Sequence, residues 1–558
     1  MPHPAHAIPE QPTKAKPFAV LDRWWWVLLI PGAMTLYRVL FLTFVSRLGL
    51  SEDEAQYWDW SRYLDWGYFT KPGGVAWSIA ASTSVFGDTE FAVRLPAVLA
   101  GFVGSLAVGL LARDMFKDWR LAALSCIAYL CVPAFAMLGF LMTIDGPVMA
   151  AWAVAAWGGH RAMVMNGRHA HSARGWVWLG LAVAVGLQFK PTMLLVVPGV
   201  VVFRVWAWRA HPADRDVEPS RSGWPVALAL LIVLIGFVPT LIYNAQHGWT
   251  QVIHLLDHVG IQLGEHPVGA APEPQGRAWD YRWTLEYPLV QLATAGSVGV
   301  LAIIAALRLL RRTDKAQSTP HDANETERRS SVAWCVCLAV PLLLFYLLVS
   351  FFTRVEGNWP IGAWVTACPL AAWAVFRGFE SADRGLKIGA WVSAGFGVLV
   401  PALLLAVPLL HGRGSISKVL PTHRLMGFGE IAAQVELGRE RAREQTGLEP
   451  FMMTVSYGRA ALLEFYLEGE PEVFCAARYN PSGGSGRQYD VWAHTDLERA
   501  SVRESLLGRP GVMIRRDETY WERGFVSVER LGEVQYKPTK AYGIFLGLEY
   551  TGFETGTD

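Results

Sequence analysis

The sequence predicts an all-α polytopic membrane domain followed by a C-terminal α/β soluble domain. Of its 558 residues, 52% are hydrophobic and only 17% are charged, whereas soluble domains carry roughly 25% charged residues. Long uncharged apolar segments recur, each near the ~20 residues that a helix needs to cross a bilayer. From about residue 411 the pattern changes to short apolar runs between polar segments.

About eleven segments are predicted to cross the membrane. Residues 1–23 carry no A-x-A-like cleavage signal, so we interpret them as a tail before a retained first span. The predicted spans are 24–48, 94–113, 119–140, 146–162, 175–189, 191–208, 223–243, 286–307, 332–352, 359–376 and 388–410. An odd number would place the two termini on opposite sides, with 24–410 as the membrane domain.

Basic residues cluster in alternate loops, on the side of the N-terminus. Because loops rich in Lys and Arg stay in the cytoplasm, we expect a cytoplasmic N-terminus and a periplasmic or extracellular domain at 411–558. The opposite loops have fewer basic residues, and the largest are 49–93 and 244–285. The functional face is therefore expected to be the outer one.

The C-terminal segment predicts a small α/β domain. GEIAAQVELGRERAREQTG and ALLEFYLEG predict helices that stop at glycine. FMMTVSY, PEVFCAAR, VMIRRD and FVSVERLGEV predict strands, and PSGGSGRQYDVW predicts a glycine-rich loop that enters a short strand. Strand, helix and strand in this order favour a partly parallel sheet.

Charge, cysteines and histidines limit the possible partners. A net charge of +1 gives no indication of nucleic-acid binding. Only Cys475 lies outside the apolar segments, so the soluble part cannot hold an internal disulfide. HLLDH places His254 and His258 one helical turn apart beside Asp257, but without a third committed ligand we predict no metal and no other cofactor, while a divalent ion stays open.

Chemically informative residues concentrate in 51–77, SEDEAQYWDWSRYLDWGYFTKPGGVAW, after the first apolar segment. Asp53 and Glu54 lie among aromatic residues, which resembles a carbohydrate site, although a helix end meeting water would look similar. Lys71 precedes a Pro-Gly-Gly turn. Its ammonium is either a solvated charge or a group that meets a phosphate at headgroup depth.

Three further charges lie within or between the apolar segments. Asp145 in TIDGPVM is functional by default at membrane depth and is also a good helix start, and both roles can hold. Lys190 in GLQFKPTM is either an interfacial cap or a substrate ligand. Arg38, inside the first span, is expected to pair with a carboxylate such as Asp53 or Asp145. Possible substrate contacts on the outer face are Tyr57, Tyr68, Lys190, Asn244, His247, Glu356 and Asn358.

The ordered motifs DEAQYWDWSRYLDWGYF, KPGG, FAVRLP, TIDGP, GLQFKPT, PTLIYNAQHGW and EGNWP resemble the bacterial branch of the protein O-mannosyltransferase superfamily. That branch includes aminoarabinose transferases that act on lipid A and rhizobial lipopolysaccharide galacturonosyltransferases. The resemblance covers about 20–410. It implies the GT-C fold, a polyprenyl-phosphate sugar donor, and transfer at the outer face of the bacterial inner membrane, to a glycolipid such as lipid A or, less favoured, to protein.

The resemblance also implies residue roles in an inverting displacement. Asp53 would be the base, Glu54 would complete an acidic pair, and Asp145 would be the second acidic site. Lys71, helped by Arg62, would bind the donor phosphate. The family turn usually continues with Pro-Pro, so the glycine that follows Pro72 is expected to loosen the placement of Lys71.

The alternatives are a transporter or flippase of a lipid-linked sugar, a protein O-mannosyltransferase, and an outer-face binding protein. A transporter would favour repeat symmetry and polar residues threaded through several spans. The sequence has no evident repeat, and its charges concentrate on the outer face. The pattern therefore favours the enzyme.

Overall fold

The computed structural model describes residues 18–46, 48–164, 172–210, 223–258, 279–311, 322–410, 425, 427–480, 484–537 and 540–553. Helices dominate the chain up to residue 410. They are α1 Trp26–Phe44, α2 Glu52–Arg62, α3 Gly74–Phe86, α4 Glu90–Phe116, α5 Trp119–Cys131, α6 Pro133–Leu138, α7 Asp145–Met163, α8 Ala173–Leu187, α9 Val196–Ala210, α10 Trp224–Gln246, α11 Thr250–His258, α12 Tyr281–Arg311, α13 Asp322–Val349, α14 Ala367–Glu380 and α15 Arg384–Leu410.

Eight helical segments in the described part of the chain are long and apolar enough to cross a membrane. Each of the eight overlaps one of the predicted spans. The other predicted spans, 119–140, 146–162 and 175–189, coincide with α5 and α6, with α7 and with α8, which are shorter or less apolar. The protein is a multi-pass membrane protein, and the number of crossings stays a prediction.

Two helices that the sequence analysis did not predict, α2 and α3, lie between α1 and α4. A capping box starts α2, because the Ser51 hydroxyl accepts a hydrogen bond from the Glu54 N–H while the Glu54 carboxylate accepts one from the Ser51 N–H. The buried residues of α2 run consecutively from 54 to 61, so no amphipathic stripe marks it as a helix. These helices flank the turn that carries Lys71.

Within the described residues, the C-terminal domain contains a five-stranded sheet and three α-helices. Its strands are β1 Phe451–Thr454, β2 Val473–Cys475, β3 Gly511–Arg515, β4 Phe525–Lys537 and β5 Lys540–Tyr550, in the spatial order β2-β1-β3-β5-β4. Strand β1 pairs in parallel with β2 and β3, whereas β5 pairs antiparallel with β3 and β4. The helices are α16 Phe428–Thr446, α17 Tyr457–Tyr466 and α18 Ala500–Leu506.

The predicted partly parallel sheet is confirmed, and α16 ends as expected at Gly447, which takes a left-handed conformation. Two details differ from the prediction. The expected strand in RQYDVW is a 3-10 turn at Arg487–Asp490, and β5 was not predicted. The predicted domain boundary at 411 falls outside the described residues.

The C-terminal domain packs directly on α2. One hydrophobic cluster contains Trp58 of α2 together with Leu463 of α17. The Tyr489 hydroxyl donates a 2.8 Å hydrogen bond to the buried Asp59 carboxylate, and the Tyr466 hydroxyl accepts one from a backbone N–H just before α2. The domain therefore holds the helix whose first turn carries Asp53.

Candidate active site

Asp145, Lys190 and Asn358 meet although they come from three distant parts of the chain. Asp145 is the first residue of α7, and one of its carboxylate oxygens accepts a 2.8 Å hydrogen bond from the Lys190 ammonium. The other oxygen accepts a 2.6 Å bond from the Asn358 amide. Both charged residues are nearly fully buried. Each compensates the charge of the other, which makes their burial tolerable.

The turn that carries Lys71 is held by three segments of the chain. Tyr68 and Lys71 exchange backbone hydrogen bonds of 2.8 and 3.2 Å. The Gln251 side-chain amide donates to both of their carbonyls, at 2.9 and 2.7 Å. The Gly74 N–H, at the start of α3, donates to the Gln188 carbonyl at 2.7 Å.

The two glycines after Pro72 permit this close packing. A Cβ atom on Gly73 would lie 2.6 Å from the Trp77 ring, and one on Gly74 would lie 2.6 Å from the Gln188 carbonyl oxygen. Neither glycine has a positive φ, so the requirement is space. The expectation that glycine loosens this turn is therefore corrected: here it lets the turn pack tightly.

The Lys71 ammonium has an unusual electrostatic environment. In the described part of the chain it makes no ion pair with a carboxylate. Burial and the nearby Lys190 ammonium lower the pKa of Lys71 to about 8, against the opposing effects of Asp145 and Asp53. A cation that lacks a protein partner in a desolvated site is suited to bind an anionic group of a ligand.

The Asp53 carboxylate is accessible to solvent in the first turn of α2. Protein nevertheless surrounds it closely enough that desolvation raises its pKa. The Arg487 guanidinium, and then the Lys71 ammonium, oppose that rise. An accessible carboxylate with a raised pKa is a better proton acceptor than an ordinary aspartate.

Glu54, next to Asp53, points into the framework. Its carboxylate is fully buried and receives 2.8 and 2.9 Å hydrogen bonds from the Arg94 guanidinium. It also accepts 3.0 Å bonds from the Met142 and Ser51 N–H groups. These contacts join α2 to α4, so they give Glu54 a structural role; its predicted catalytic role stays a prediction.

Two predicted arginine contacts are corrected. Arg62 does not lie beside Lys71: its guanidinium is 3.2 Å from Glu464 and 3.7 Å from Asp59, where α2 meets the C-terminal domain. Arg38 has no carboxylate partner in the segments that the structure describes. Its guanidinium lies 3.5 Å from two carbonyl oxygens near the end of α6 and 5.3 Å from the Phe140 ring centroid.

The two predicted tyrosines of this region have different surroundings. Tyr57 is buried beside the charged groups, and burial with the charges of Asp53 and Asp145 raises the pKa of its hydroxyl. Tyr68 stacks on Trp60 with ring centroids 4.6 Å apart, and its hydroxyl donates to the Trp60 carbonyl at 2.8 Å. Tyr57 therefore lies at the site, whereas the Tyr68 side chain braces α2.

The predicted outer-loop residues Asn244, His247 and Glu356 also have different surroundings. The Asn244 amide donates to the Gln251 side chain at 2.9 Å and so supports the Lys71 turn indirectly. His247 stacks on Tyr243 at 4.2 Å, and the Glu356 side chain is exposed. The structure therefore gives Asn244 a positioning contact, while it brings neither His247 nor Glu356 into contact with Asp145.

Sequence reasoning missed Arg487 and Tyr457 of the C-terminal domain. The Arg487 guanidinium lies 4.2 Å from the centroid of the Tyr457 ring, and its charge acts on Asp53 and Lys71. The glycine-rich loop before Arg487 was the available signal. Without the fold, nothing connected that loop to residues more than 400 positions earlier.

Among the described residues, no group of three or more His, Cys, Asp or Glu side chains could hold a metal ion. The His254 ring lies 6.1 Å from the Phe69 ring. The side chains of Asp257 and His258 lie outside the described residues.

Sequence comparison identifies related transferases. Residues 70–243 match the family described as dolichyl-phosphate-mannose-protein mannosyltransferase. The chain is 26% identical to lipid A galacturonosyltransferase RgtD of Rhizobium johnstonii over 432 residues, which are 75% of this chain and 77% of the relative. It is 24% identical to undecaprenyl phosphate-alpha-4-amino-4-deoxy-L-arabinose arabinosyl transferase of Erwinia tasmaniensis over 65% of this chain and 61% of that relative.

The fold is shared with a solved structure. ArnT from Cupriavidus metallidurans bound to undecaprenyl phosphate aligns with a TM-score of 0.59 over 93% of this chain and 98% of that one, at 15% identity. That likeness concerns the fold alone. Together with the ordered motifs, the sequence matches make the chain similar to the bacterial branch of the protein O-mannosyltransferase superfamily, and the shared fold is the GT-C glycosyltransferase fold.

Proposed function

We propose that the protein is a membrane glycosyltransferase that moves a sugar from a polyprenyl-phosphate donor to a glycolipid acceptor such as lipid A. The names of its relatives support this proposal: one is a lipid A galacturonosyltransferase and another is an arabinosyl transferase that uses an undecaprenyl-phosphate-linked sugar. The match to the lipid A galacturonosyltransferase covers 77% of that relative, which favours a glycolipid acceptor over a protein acceptor.

The observation that carries the proposal is the contrast between paired and unpaired charges at the site. Asp145 and Lys190 neutralise each other. Lys71, a cation without a carboxylate partner among the described residues, remains available for a phosphate, and Asp53 remains accessible for an incoming hydroxyl. A donor phosphate and an acceptor hydroxyl are the two groups that such a transferase must hold.

The proposed reaction is a direct displacement with inversion at the anomeric carbon. The acceptor oxygen forms a bond to that carbon, and the bond from the carbon to the phosphate oxygen breaks. Asp53 accepts the hydroxyl proton. Polyprenyl phosphate leaves with the bonding electron pair, and the Lys71 ammonium stabilises its charge. Because a phosphate leaves already ionised, the step requires no strong general acid.

We propose that the site lies on the outer face of the inner membrane. Support comes from the distribution of basic residues, which favours a cytoplasmic N-terminus and a periplasmic C-terminal domain. The C-terminal domain packs on α2, so the domain and the Asp53 site lie on the same face. To test this orientation, cysteines are introduced into the protein at positions 411–424 and 1–17 and are labelled in intact cells.

The function is tested by mass spectrometry of lipids from cells that lack the chain, that contain it, or that carry Asp53→Asn. We expect one glycolipid to lose a sugar, and the polyprenyl-phosphate donor to accumulate, in both the deletion and the Asp53→Asn cells. Glu430→Gln, an exposed acidic residue of α16, is the matched control and should behave as wild type. An unchanged glycolipid pool in the deletion would reject the glycolipid acceptor, and full rescue by Asp53→Asn would reject the proposed base.

A further inference from the structure

The C-terminal domain places one arginine, Arg487, in an enforced conformation. Arg487 opens a 3-10 turn with φ of 54°, in the left-handed region that residues other than glycine seldom adopt. Its backbone N–H donates to the Ser485 hydroxyl at 2.9 Å, and the Gly486 N–H donates to the Asp490 carboxylate at 2.6 Å. Local contacts thus hold a costly conformation, and with it the direction of the side chain.

The residues that follow Arg487 fasten it to the site. The Gln488 side-chain oxygen accepts a 2.7 Å hydrogen bond from the Phe69 N–H, two residues before Lys71. The Tyr489 hydroxyl donates to Asp59, on the helix that begins beside Asp53. Both side chains are almost fully buried. Position 487 is therefore tied at once to the Lys71 turn and to α2.

The side chain of Arg487 reaches the same region. Its guanidinium lies 4.2 Å from the Tyr457 ring centroid. The next residue, Gly458, touches Glu52 so closely that a Cβ atom there would lie 2.6 Å from the Glu52 Cβ. Glu52 adjoins Asp53 in sequence. The segment that carries this ring therefore packs against the first turn of α2, which also carries Asp53.

The donors of the Arg487 guanidinium are not used within the described protein. It makes neither a hydrogen bond nor an ion pair there. By contrast, Arg478 of the same domain lies 3.1 Å from Asp490 and 3.2 Å from Asp496. A half-buried guanidinium has five donors in a planar fork that matches carboxylate or phosphate oxygens.

We propose that Arg487 is a substrate-binding residue, contributed by the C-terminal domain, that holds an anionic oxygen group of the lipid-linked donor beside Lys71. This inference rests on the proposed function. The anionic group is either the carrier phosphate or a carboxylate on the sugar, since both present oxygen pairs to an arginine fork. Arg487 thus takes the position that sequence reasoning gave to Arg62, and the C-terminal domain becomes part of the donor site.

The test uses the full-length protein in detergent, with undecaprenyl phosphate as the binding probe. Arg487→Gln, Arg487→Lys and Lys71→Gln are compared with Arg459→Gln, a half-buried arginine of the same domain that lies over the Tyr542 ring at 5.0 Å. Loss of a charged hydrogen bond should weaken binding about tenfold or more in Arg487→Gln. Arg487→Lys should recover part of the loss, and Arg459→Gln should match wild type.

A second arm separates phosphate from sugar. The KM is measured for a polyprenyl-phosphate uronate and for its neutral-sugar counterpart. Weaker binding of undecaprenyl phosphate by Arg487→Gln assigns the residue to the phosphate. Unchanged binding of that probe, with a raised KM for the uronate alone, assigns it to the sugar carboxylate. Unchanged values in both measurements would overturn the inference.

A pH profile distinguishes substrate binding from a folding defect. Since Arg487 lowers the pKa of Asp53, its removal should move the acidic limb of kcat/KM to higher pH. A structural defect would lower the amplitude without moving that limb. The proposed function itself fails if wild-type protein does not bind undecaprenyl phosphate and Asp53→Asn leaves cellular lipids unchanged. If wild type binds undecaprenyl phosphate and Arg487→Gln binds it equally well, only the assignment of Arg487 to the phosphate fails.

Discussion

Replacing Arg94 by glutamine should destabilise the protein more than any surface charge change of the same kind. The Arg94 guanidinium donates two hydrogen bonds to Glu54, at 2.8 and 2.9 Å, and two to the carbonyls of Leu48 and Gly49, at 2.8 and 2.6 Å. The side chains of Arg94 and Glu54 are 1% and 0% exposed. Arg94→Gln therefore leaves a buried carboxylate with only two backbone donors.

Removing one partner of a buried ion pair costs about 3–5 kcal/mol, mostly because the remaining charge is uncompensated. Glu54→Gln should have a similar cost, since it strands the guanidinium. The double variant removes both charges, so its loss should fall short of the sum by about 0.5–3 kcal/mol. The effects of the Glu54 and Arg94 substitutions on the free energy of unfolding should therefore be coupled, because this ion pair joins α2 to α4.

The free energy of unfolding is measured by titrating SDS into mixed micelles and following tryptophan fluorescence. Arg530→Gln is the control, because Arg530 and Glu533 form an exposed 2.7 Å pair that should contribute about 0–1 kcal/mol. An Arg94→Gln protein as stable as this control would refute the reasoning. Likewise, a Glu54→Gln protein that keeps its stability but loses turnover would assign Glu54 to the chemistry.

Three further outcomes are expected. Burial lowers the pKa of Lys71 to about 8, so the ammonium is charged below that pH and kcat/KM should fall as the pH rises through 8. Lys71→Arg should remove this alkaline loss, because a guanidinium stays protonated. A Lys71→Arg enzyme with the same alkaline loss as wild type would contradict the assignment. Asp145→Asn strands the buried Lys190 ammonium, at a cost of about 3–5 kcal/mol; adding Lys190→Met should recover stability in the SDS titration but no turnover. Gly74→Ala should cost about 1–3 kcal/mol by overpacking and raise the KM for donor, whereas Gly429→Ala, with nothing within 4 Å of the new Cβ, should keep the wild-type melting temperature and KM.

Local signals were sufficient wherever a property depends on neighbouring residues. Hydropathy located the eight long apolar helices, and the glycine stop located the end of α16. The turn chemistry around Lys71 was visible, but its consequence was misjudged. The packing of Gly74 against Gln188 involves residues more than a hundred positions apart, so no local rule could reveal it.

At the candidate site, too, some properties follow from local sequence and others only from the fold. The sequence determined the class of protein, the motifs that carry the family resemblance, and most of the charged residues, since each has a recognisable local context. The tertiary structure decided which charges pair: Lys190 with Asp145, Arg94 with Glu54, and Arg62 with Glu464.

It also brought Arg487 to the site, through contacts such as that between Tyr489 and Asp59, which are 430 residues apart. Charge pairing depends on distance and burial in the folded chain, which hydropathy and spacing do not encode. The sequence by itself therefore determined which chemical groups are available, and only the fold determined which of them remain free to meet a substrate.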